Sequence, residues 1–406
     1  MPSTLPDGEA APADGRLPSS ALQDASTRPL GMYLHVPFCA TRCGYCDFNT
    51  YTAEELGAGL SRSTYVDTVR QELELARAVL GDDDRRVSTV FVGGGTPTLL
   101  APNDLSRALQ GIGELLGLTA DAEVSTESNP ESVDASALHE LRAAGFNRIS
   151  FGMQSAQEHV LAVLDRQHTP GRVQQVVHEA RGAGFDNVSV DLIYGTPGET
   201  DDDWRSSLDA AITTGADHVS AYSLIVEPGT RLAARVARGE LPMPDDDVLA
   251  DRYLIAEEML NDAGLTWYEV SNWARHDDRQ CRHNLGYWTG GDWWGVGPGA
   301  HSHVGGVRWW NVKHPKAYAE RLSEGRSPAH ARELLDPTDR HAEDVLLRLR
   351  LREGLPLDTM SPGERARAEQ ACMNGLLDKV AFDSDRGVLT VRGRLLADAV
   401  VRDLLD

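Results

Sequence analysis

The stretch that decides the fold of this chain is Cys39-Ala-Thr-Arg-Cys43-Gly-Tyr-Cys46. It contains three of the five cysteines of a 406-residue sequence, with C-x3-C-x2-C spacing, directly after the apolar run 32–36. Three thiolates on one loop can bind three irons of a [4Fe–4S] cube. The fourth iron is then open to an exogenous ligand. We therefore predict that Cys39, Cys43 and Cys46 hold such a cluster.

Two other uses of the cysteines fit the sequence less well. Structural zinc takes four ligands, and no second C-x2-C pair or H-x3–5-H pair follows the loop. A disulfide framework needs an even number of cysteines and an oxidising compartment. The chain has five cysteines, and residues 1–8 lack the basic head and apolar segment of a secretion signal. The cysteines therefore indicate a reducing cytoplasm.

The sequence around the loop resembles radical S-adenosylmethionine (SAM) enzymes. Within them it is most similar to the branch that contains the oxygen-independent coproporphyrinogen III oxidases and the HemW heme chaperones. The strings that carry the resemblance after the loop are Gly93-Gly94-Gly95-Thr96-Pro97, Glu127-Ser128-Asn129-Pro130, Arg148-Ile149-Ser150-Phe151-Gly152-Met153-Gln154-Ser155, Asp191-Leu192-Ile193-Tyr194-Gly195-Thr196-Pro197-Gly198 and His283-Asn284-Leu285-Gly286-Tyr287-Trp288. The similarity runs from about residue 30 to the C-terminus.

Between residue 30 and about residue 225, short apolar runs alternate with helical patterns. The strand candidates are Met32–Val36, Ser88–Val92, Glu123–Thr126, Arg148–Phe151, Asn187–Leu192 and His218–Tyr222. Strand-then-helix alternation predicts right-handed βαβ units and a parallel sheet. Six units are too few to close a barrel of eight. We predict an α/β fold with an open, six-stranded (β/α)6 partial TIM barrel, in which the motifs gather at the carboxyl ends of strands.

The sequence predicts three regions. Residues 1–28 are rich in Ala, Pro, Ser, Asp and Gly, which predicts a disordered tail. Residues 29–262 would form the radical SAM core, and residues 263–406 a C-terminal region like that of the HemW proteins and the oxidases. The last ~70 residues, the size of a small domain, predict an α+β module. Its hairpin would pair residues 380–382 with residues 388–391, before a final helix.

The chain is strongly acidic, with 62 Asp and Glu residues, 39 Lys and Arg residues and a formal net charge of −23. Such a chain repels phosphate backbones, and its sequence shows no basic stripe interleaved with aromatic residues. We therefore expect no nucleic-acid partner. No apolar run approaches the ~20 residues that cross a bilayer, and we expect a cytoplasmic protein, with the choice between monomer and homodimer open.

The resemblance implies that SAM chelates the open iron and is cleaved by reduction to a 5′-deoxyadenosyl radical. Residue by residue, it implies a first SAM site of Tyr33, Gly94 and Glu127, and a second of Tyr45, Gly95, Thr96, Gln154, Arg166 and Asp191. A glycine run lets the backbone approach a ligand closely, and a carboxylate can accept hydrogen bonds from hydroxyl or ammonium groups. Alternatives are an ordinary helix cap for the carboxylates and a surface ion pair for the arginine. Whether one or two SAM molecules bind stays open.

One position separates the two branches. The oxidases carry a fourth cysteine two positions after the third, and here that position is Phe48. The H-N-x-x-Y-W string that begins at His283 marks the chaperone branch, and a neutral imidazole is a common axial ligand of heme iron. The resemblance therefore implies heme binding with His283 as the first candidate ligand. Cys281 is a rival soft ligand, and a packed turn is the structural alternative.

Three functions remain after the sequence is considered. The first is a heme chaperone that binds a [4Fe–4S] cluster, SAM and heme and passes heme to apo-cytochromes or other hemoprotein acceptors at a membrane, with an electron donor for the cluster. The second is the coproporphyrinogen III oxidase reaction of porphyrin biosynthesis, a SAM-dependent oxidative decarboxylation. The third is another tetrapyrrole-directed radical SAM oxidoreductase. The sequence assigns no catalytic residue.

Overall fold

The computed structural model describes residues 7–56, 61–166 and 168–406. The strands within these ranges are β1 (Glu9–Ala10), β2 (Leu30–Val36), β3 (Val87–Gly94), β4 (Leu118–Ser128), β5 (Arg148–Gln154), β6 (Asn187–Tyr194), β7 (His218–Ser223), β8 (Thr266–Glu269), β9 (Asn272–Ala274), β10 (Asp292–Val296), β11 (His301–Val304), β12 (Val307–Asn311), β13 (Ala329–Leu334), β14 (Leu355–Pro356) and β15 (Arg386–Gly387).

The α-helices within the same ranges are α1 (Ala53–Leu56), α2 (Arg62–Leu80), α3 (Pro102–Leu116), α4 (Ala135–Ala144), α5 (Glu158–Val163), α6 (Arg172–Gly182), α7 (Asp201–Thr213), α8 (Arg231–Ala237), α9 (Asp246–Asp262), α10 (Arg282–Trp288), α11 (Pro315–Ser323), α12 (Pro337–Arg348), α13 (Pro362–Met373), α14 (Lys379–Asp383), α15 (Val391–Leu395) and α16 (Ala397–Leu405). Among the described residues, every helix is too short or too polar to cross a bilayer.

The strands β1 to β13 form one sheet, in the order β1-β13-β12-β11-β10-β2-β3-β4-β5-β6-β7-β9-β8. Within it, β2 to β7 follow one another in chain order and are all parallel. Each of the six predicted strands overlaps one of these, so the partial barrel is confirmed. Beyond it, β10 continues the sheet in parallel beside β2, and the remaining strands extend both edges in antiparallel pairs.

Side chains alternate between the two faces of the parallel strands. In β2, Met32, Leu34 and Val36 are buried in the main core with the helices, whereas Tyr33 and His35 lie together on the opposite face. This is the alternation expected of a strand. On that opposite face the strands present polar side chains, and we call the space that these side chains line the lumen.

Residues 7–28 do not form the predicted disordered tail. Strand β1 pairs in antiparallel fashion with β13, and Ala21 is fully buried in the main core. The Arg28 side chain donates to both carboxylate oxygens of buried Asp292, at 3.1 and 3.0 Å. The composition of this segment predicts disorder, but the segment is ordered because it packs on a sheet edge and a core that other residues build. Residues 1–6 of the predicted tail lie outside the described residues.

The C-terminal module has a core of its own, which includes Val345, Leu355, Leu377 and Leu404. The hairpin predicted there is wrong. Residues 380–382 lie in α14, which begins where the Asp378 carboxylate accepts a hydrogen bond from the backbone N–H of Ala381 at 2.8 Å. Strand β15 instead pairs with β14, from the other end of the module. The boundary between residues 262 and 263 stays a prediction, because β10 belongs to the same sheet as the barrel.

Candidate functional site

The cysteine loop follows β2 and is held by backbone hydrogen bonds from three directions. The Cys39 N–H donates to the carbonyl of Tyr51 at 3.0 Å, and the Gly44 N–H to the carbonyl of Leu164 at 3.0 Å. The carbonyl of Gly44 accepts from the N–H of Leu232 at 2.8 Å. The loop is therefore tied to α5 and α8 at its middle and closed on itself at its base.

The thiols of this loop fit a [4Fe–4S] cluster. All five cysteines of the chain are free, and Cys39 is buried while Cys43 and Cys46 are partly exposed. Burial raises the pKa of Cys46 to about 11, so iron would displace protons as it binds. Among the described residues, no three His, Cys, Asp or Glu side chains converge on a single metal ion. A cube does not require that, because each thiolate binds its own iron.

The glycine run at the end of β3 lies directly against the cysteine loop. The Gly95 N–H donates to the carbonyl of Val36 at 2.8 Å, and the Thr96 N–H to the carbonyl of Phe38 at 2.7 Å. A Cβ on Gly95 would lie 2.8 Å from Cys39 Sγ. Gly94 has φ +115°, and a Cβ there would lie 2.7 Å from the Val36 carbonyl oxygen. A side chain at either position would displace the cysteine loop, and this explains why both positions are occupied by glycine.

Glu127, at the end of β4, meets the same run. Its Oε2 accepts the backbone N–H of Gly94 at 3.0 Å. Burial, together with the negative charge of Asp191, raises the pKa of Glu127 to about 8. A carboxyl group in this state can take a hydrogen bond from a ligand and can ionise when a cation arrives.

Tyr33 is positioned by His35, which the sequence analysis missed. The Tyr33 hydroxyl lies 3.0 Å from His35 Nδ1, and His35 Nε2 lies 2.8 Å from the carbonyl oxygen of Asn49. A carbonyl can only accept, so Nε2 carries the proton and Nδ1 accepts from Tyr33. Burial lowers the pKa of His35 to about 4, which keeps the ring neutral. The alternation of side chains along β2, which puts Tyr33 and His35 on one face, is the sequence pattern that could have identified His35.

Three more of the predicted SAM residues, Arg166, Gln154 and Tyr45, lie around the loop. Arg166 Nη1 lies 3.8 Å from Cys43 Sγ, and its Nη2 donates to the carbonyl of Gly152 at 2.9 Å. Gln154 takes φ +65° at a register shift of β5. A Cβ on Gly152 would lie 2.8 Å from Gln154 Nε2 and 3.0 Å from Arg166 Nη2. Tyr45 packs against the small core formed by α5, α8 and the end of β6.

Asp191 lies deeper, within β6. Both of its carboxylate oxygens accept from the Ser150 hydroxyl, at 3.0 and 2.9 Å, and burial raises its pKa. The structure thus brings the predicted cluster and SAM residues together at the carboxyl ends of the strands and in the lumen. Their roles as ligands stay predictions.

His283 lies elsewhere, in α10, near the amino ends of β2 and β3. It is 3% exposed, and its ring stacks on Phe91 with centroids 5.3 Å apart. Nδ1 lies 2.9 Å from the Thr89 hydroxyl, and Nε2 lies 2.8 Å from the Tyr287 hydroxyl. Both ring nitrogens are therefore engaged. This geometry gives no support to the predicted heme ligand, which stays untested.

The comparisons with known proteins agree with the fold and the loop. Residues 33–211 match the model of the Radical SAM superfamily. The heme chaperone HemW of Mycobacterium tuberculosis (strain ATCC 25618 / H37Rv) is 57% identical over 378 residues, which cover 93% of this chain and 95% of that protein. The chain belongs to the HemW family. The resemblance drawn from the motifs is thereby confirmed.

More distant members of the HemW family match over nearly the same length. The heme chaperone HemW of Bacillus subtilis (strain 168) is 33% identical over 379 residues, covering 91% of this chain and 97% of that protein. Among solved structures, coproporphyrinogen III oxidase (HemN) from Escherichia coli matches with a TM-score of 0.79 at 24% identity, covering 97% of this chain and 96% of that one. This second match supports the fold alone. Membership of the radical SAM superfamily implies a [4Fe–4S] cluster and SAM.

Proposed function

We propose that this protein is a heme chaperone that carries a [4Fe–4S] cluster and SAM, binds heme and passes it to apo-cytochromes or other hemoprotein acceptors. The observation that carries the proposal is its 57% identity to a heme chaperone HemW over 93% of the chain. Phe48 supports it, because this residue stands where the oxidases carry a fourth cysteine. We further propose that transfer occurs on the cytoplasmic side of a membrane.

Cys39, Cys43 and Cys46 would hold the cluster. When bound, the cluster and SAM supply a one-electron reduction and a SAM-derived radical. Gly94 and Gly95 leave space beside the loop, Glu127 offers a carboxyl group to the cationic end of SAM, and Arg166 places a positive charge beside the thiolates. The hydroxyl proton of Tyr33 is directed to His35, so the Tyr33 oxygen is left as an acceptor toward the lumen.

The polar groups of the lumen bear on the choice between the chaperone and the oxidase. Coproporphyrinogen III carries a propionate on every pyrrole ring, so its binding site needs cations. The lumen instead presents Glu127, Asp191 and Glu269, all buried. Arg148, the buried cation at the base of β5, is already engaged by Ser189 at 2.9 Å. Burial raises the pKa of all three carboxyl groups, so this part of the wall offers hydrogen-bonding carboxyl groups rather than the cations that a substrate with many carboxylates needs.

A heme bound through His283 would have to displace a hydroxyl partner of that ring. It would also have to enter beside α10, where the cavity lined by Thr89, His283 and Tyr287 measures only about 30 Å³. A porphyrin is far larger than this space. We therefore propose heme binding for the protein as a whole and treat the ligand as a separate question, which variants of His283 answer.

One experiment tests the function. Cluster-loaded full-length protein is titrated with heme and followed by absorbance, then mixed with an apo-cytochrome, and holo-cytochrome formation is measured. In parallel it receives coproporphyrinogen III, SAM and a reductant, and protoporphyrinogen is assayed. We expect heme uptake and delivery without protoporphyrinogen. Turnover of coproporphyrinogen III by a protein that neither binds nor delivers heme would overturn the proposal.

A further inference from the structure

Two buried hydroxyl groups face the sulfur of Cys39, the first cysteine of the loop. Thr50 and Thr96 are each 1% exposed, and neither hydroxyl forms a well-aligned hydrogen bond with any other residue that the structure describes. Burial raises the pKa of the Cys39 thiol, and both hydroxyl groups oppose that rise as hydrogen-bond donors to its sulfur. The sulfur of Cys39 is therefore the acceptor available to both threonines.

The backbone of the loop places both threonines next to Cys39. Phe38 and Tyr51 form a parallel bridge, in which the Cys39 N–H donates to the carbonyl of Tyr51 at 3.0 Å. This bridge brings Thr50, the residue before Tyr51, beside the start of the loop. From the end of β3, the Thr96 N–H donates to the carbonyl of Phe38 at 2.7 Å. The two hydroxyl groups thus reach Cys39 from separate segments, each fixed by its own hydrogen bond.

A hydroxyl group at either position needs an acceptor. Burying a hydroxyl without a partner costs free energy, and such groups are rare in folded proteins. A valine in place of Thr50 or Thr96 would fill nearly the same space without a polar atom to satisfy. A thiolate bound to iron carries negative charge, and it accepts hydrogen bonds more strongly than a neutral thiol does. Cluster formation would therefore provide the acceptor that both hydroxyl groups lack.

The other two sulfur atoms of the loop have donors of different kinds. Burial raises the pKa of the Cys46 thiol, and a hydrogen bond from the backbone N–H of Phe48 opposes that rise. Arg166 Nη1 lies 3.8 Å from Cys43 Sγ. Hydrogen bonds to the sulfur atoms are one of the factors that set the reduction potential of an iron–sulfur cluster. Since reduction adds negative charge to the cluster, such donors stabilise the reduced form more than the oxidised form.

We propose that Thr50 and Thr96 donate hydrogen bonds to the Cys39 sulfur of the bound cluster and thereby raise its reduction potential. The two hydroxyl groups make the cluster easier to reduce by an external one-electron donor. This inference rests on the cluster that the proposed function assigns to the loop. A protein that forms no cluster would refute that assignment, whereas a complete cluster whose potential does not depend on either threonine would refute only the present inference.

The test is a redox titration of the anaerobically reconstituted, full-length protein. SAM is left out, because Thr96 is also a predicted SAM residue. Dithionite is the reductant, and the EPR signal of the reduced cluster reports the midpoint potential. Thr50→Val should lower the equilibrium constant for reduction by up to about tenfold, a fall of up to ~59 mV for a one-electron couple. Thr96→Val should also lower the potential, whereas Thr50→Ser keeps the hydroxyl and should keep the wild-type potential.

Thr98 provides the matched control. It lies two residues after Thr96 and is also buried, but its hydroxyl lies 2.6 Å from the hydroxyl of Ser132 and 3.2 Å from that of Ser128. Thr98→Val should therefore leave the potential of the cluster unchanged. Equal shifts in Thr50→Val and Thr98→Val would point to a general loss of packing and would overturn the proposal. Wild-type potentials in both Thr50→Val and Thr96→Val would overturn it as well.

The iron and sulfide content of every variant is measured together with its potential. If Thr50→Val loses iron while Thr50→Ser retains it, the hydroxyl group itself is required, and the potential of Thr96→Val decides the proposal. If both Thr50 variants lose iron, Thr50 shapes the loop instead of donating to the sulfur, and the proposal is wrong.

Discussion

The backbone N–H of Gly94 lies 3.0 Å from Oε2 of Glu127, and this single hydrogen bond joins the glycine run of β3 to the carboxyl group at the end of β4. The bond favours the ionised carboxyl group, but burial and the charge of Asp191 outweigh it and raise the pKa of Glu127 to about 8. Glu127 is therefore mostly neutral at pH 7 before a ligand binds.

SAM binding should release a proton from Glu127. A cation beside the carboxyl group lowers its pKa, so close to one proton should leave at pH 7, and SAM affinity should rise with pH until about pH 8. Isothermal titration calorimetry in two buffers of different ionisation enthalpy measures this release. In Glu127→Gln the release should vanish, and binding should weaken by about 1–3 kcal/mol, the range for a hydrogen bond to a charged group. An unchanged proton release in that variant would exclude Glu127 as its source.

Cluster formation should depend on three of the five cysteines. Replacing Cys39, Cys43 or Cys46 with Ala should abolish the broad charge-transfer absorption of the anaerobically reconstituted protein, because each thiolate binds its own iron. Cys281→Ala is the buried control and Cys372→Ala the partly buried one, and both should retain the absorption and the iron content. A full cluster in Cys43→Ala would contradict the assignment.

Gly94→Ala should be strongly destabilising, because φ +115° is strained for any L side chain and the new Cβ would lie 2.7 Å from a backbone carbonyl oxygen. The strain alone costs about 1–3 kcal/mol. Gly182→Ala is the control: it lies in α6, has open space around its Cα and should be neutral or stabilising by up to ~1 kcal/mol. Urea unfolding of the two variants measures the difference. Similar midpoints would show that the glycine run tolerates a side chain.

His283→Ala should lower the free energy of unfolding by about 2 kcal/mol or more, because the ring makes two buried hydrogen bonds of about 1 kcal/mol each. The Soret maximum of the heme-loaded protein should stay in place. Exposed His139→Ala serves as the control for stability. A shifted Soret band together with unchanged stability would restore His283 as the heme ligand.

The pH dependence of heme binding gives a second test of the same residue. Burial lowers the pKa of His283 to about 3, so its ring is neutral throughout the range from pH 5 to pH 8, and its own titration cannot change heme affinity there. Heme release with a midpoint near pH 6 would therefore point to a more exposed histidine.

The sequence predicted the parallel sheet and the cluster loop because both are encoded locally. Apolar runs of strand length mark the sheet, and Cys39, Cys43 and Cys46 lie within eight residues. The strand pattern also predicts where Glu127 and Asp191 lie, because each belongs to a predicted strand. Their roles as SAM ligands come from the family resemblance and stay predictions.

Apart from His35, what the sequence analysis missed depends on contacts between residues that are far apart in the chain. Strand β9 pairs with β7, about fifty residues earlier, and no local pattern predicts this pairing. The H-N-x-x-Y-W string predicts His283 as a heme ligand. The environment of its ring is set by Thr89 on β3, almost two hundred residues away. Residues 1–28 have few apolar side chains of their own, which predicts disorder, but β1 within this segment pairs with β13, near the other end of the chain.

Strand β1 has a consequence for the handling of this protein in solution. By pairing with β13 it covers the outer edge of the thirteen-stranded sheet, and an uncovered edge strand is a template for pairing between molecules. A chain shortened to begin at residue 29 would expose β13 and also remove Arg28 from Asp292. Such a chain should self-associate through its sheet edges as its concentration rises, so oligomeric states measured on shortened chains would report a new contact created by the truncation.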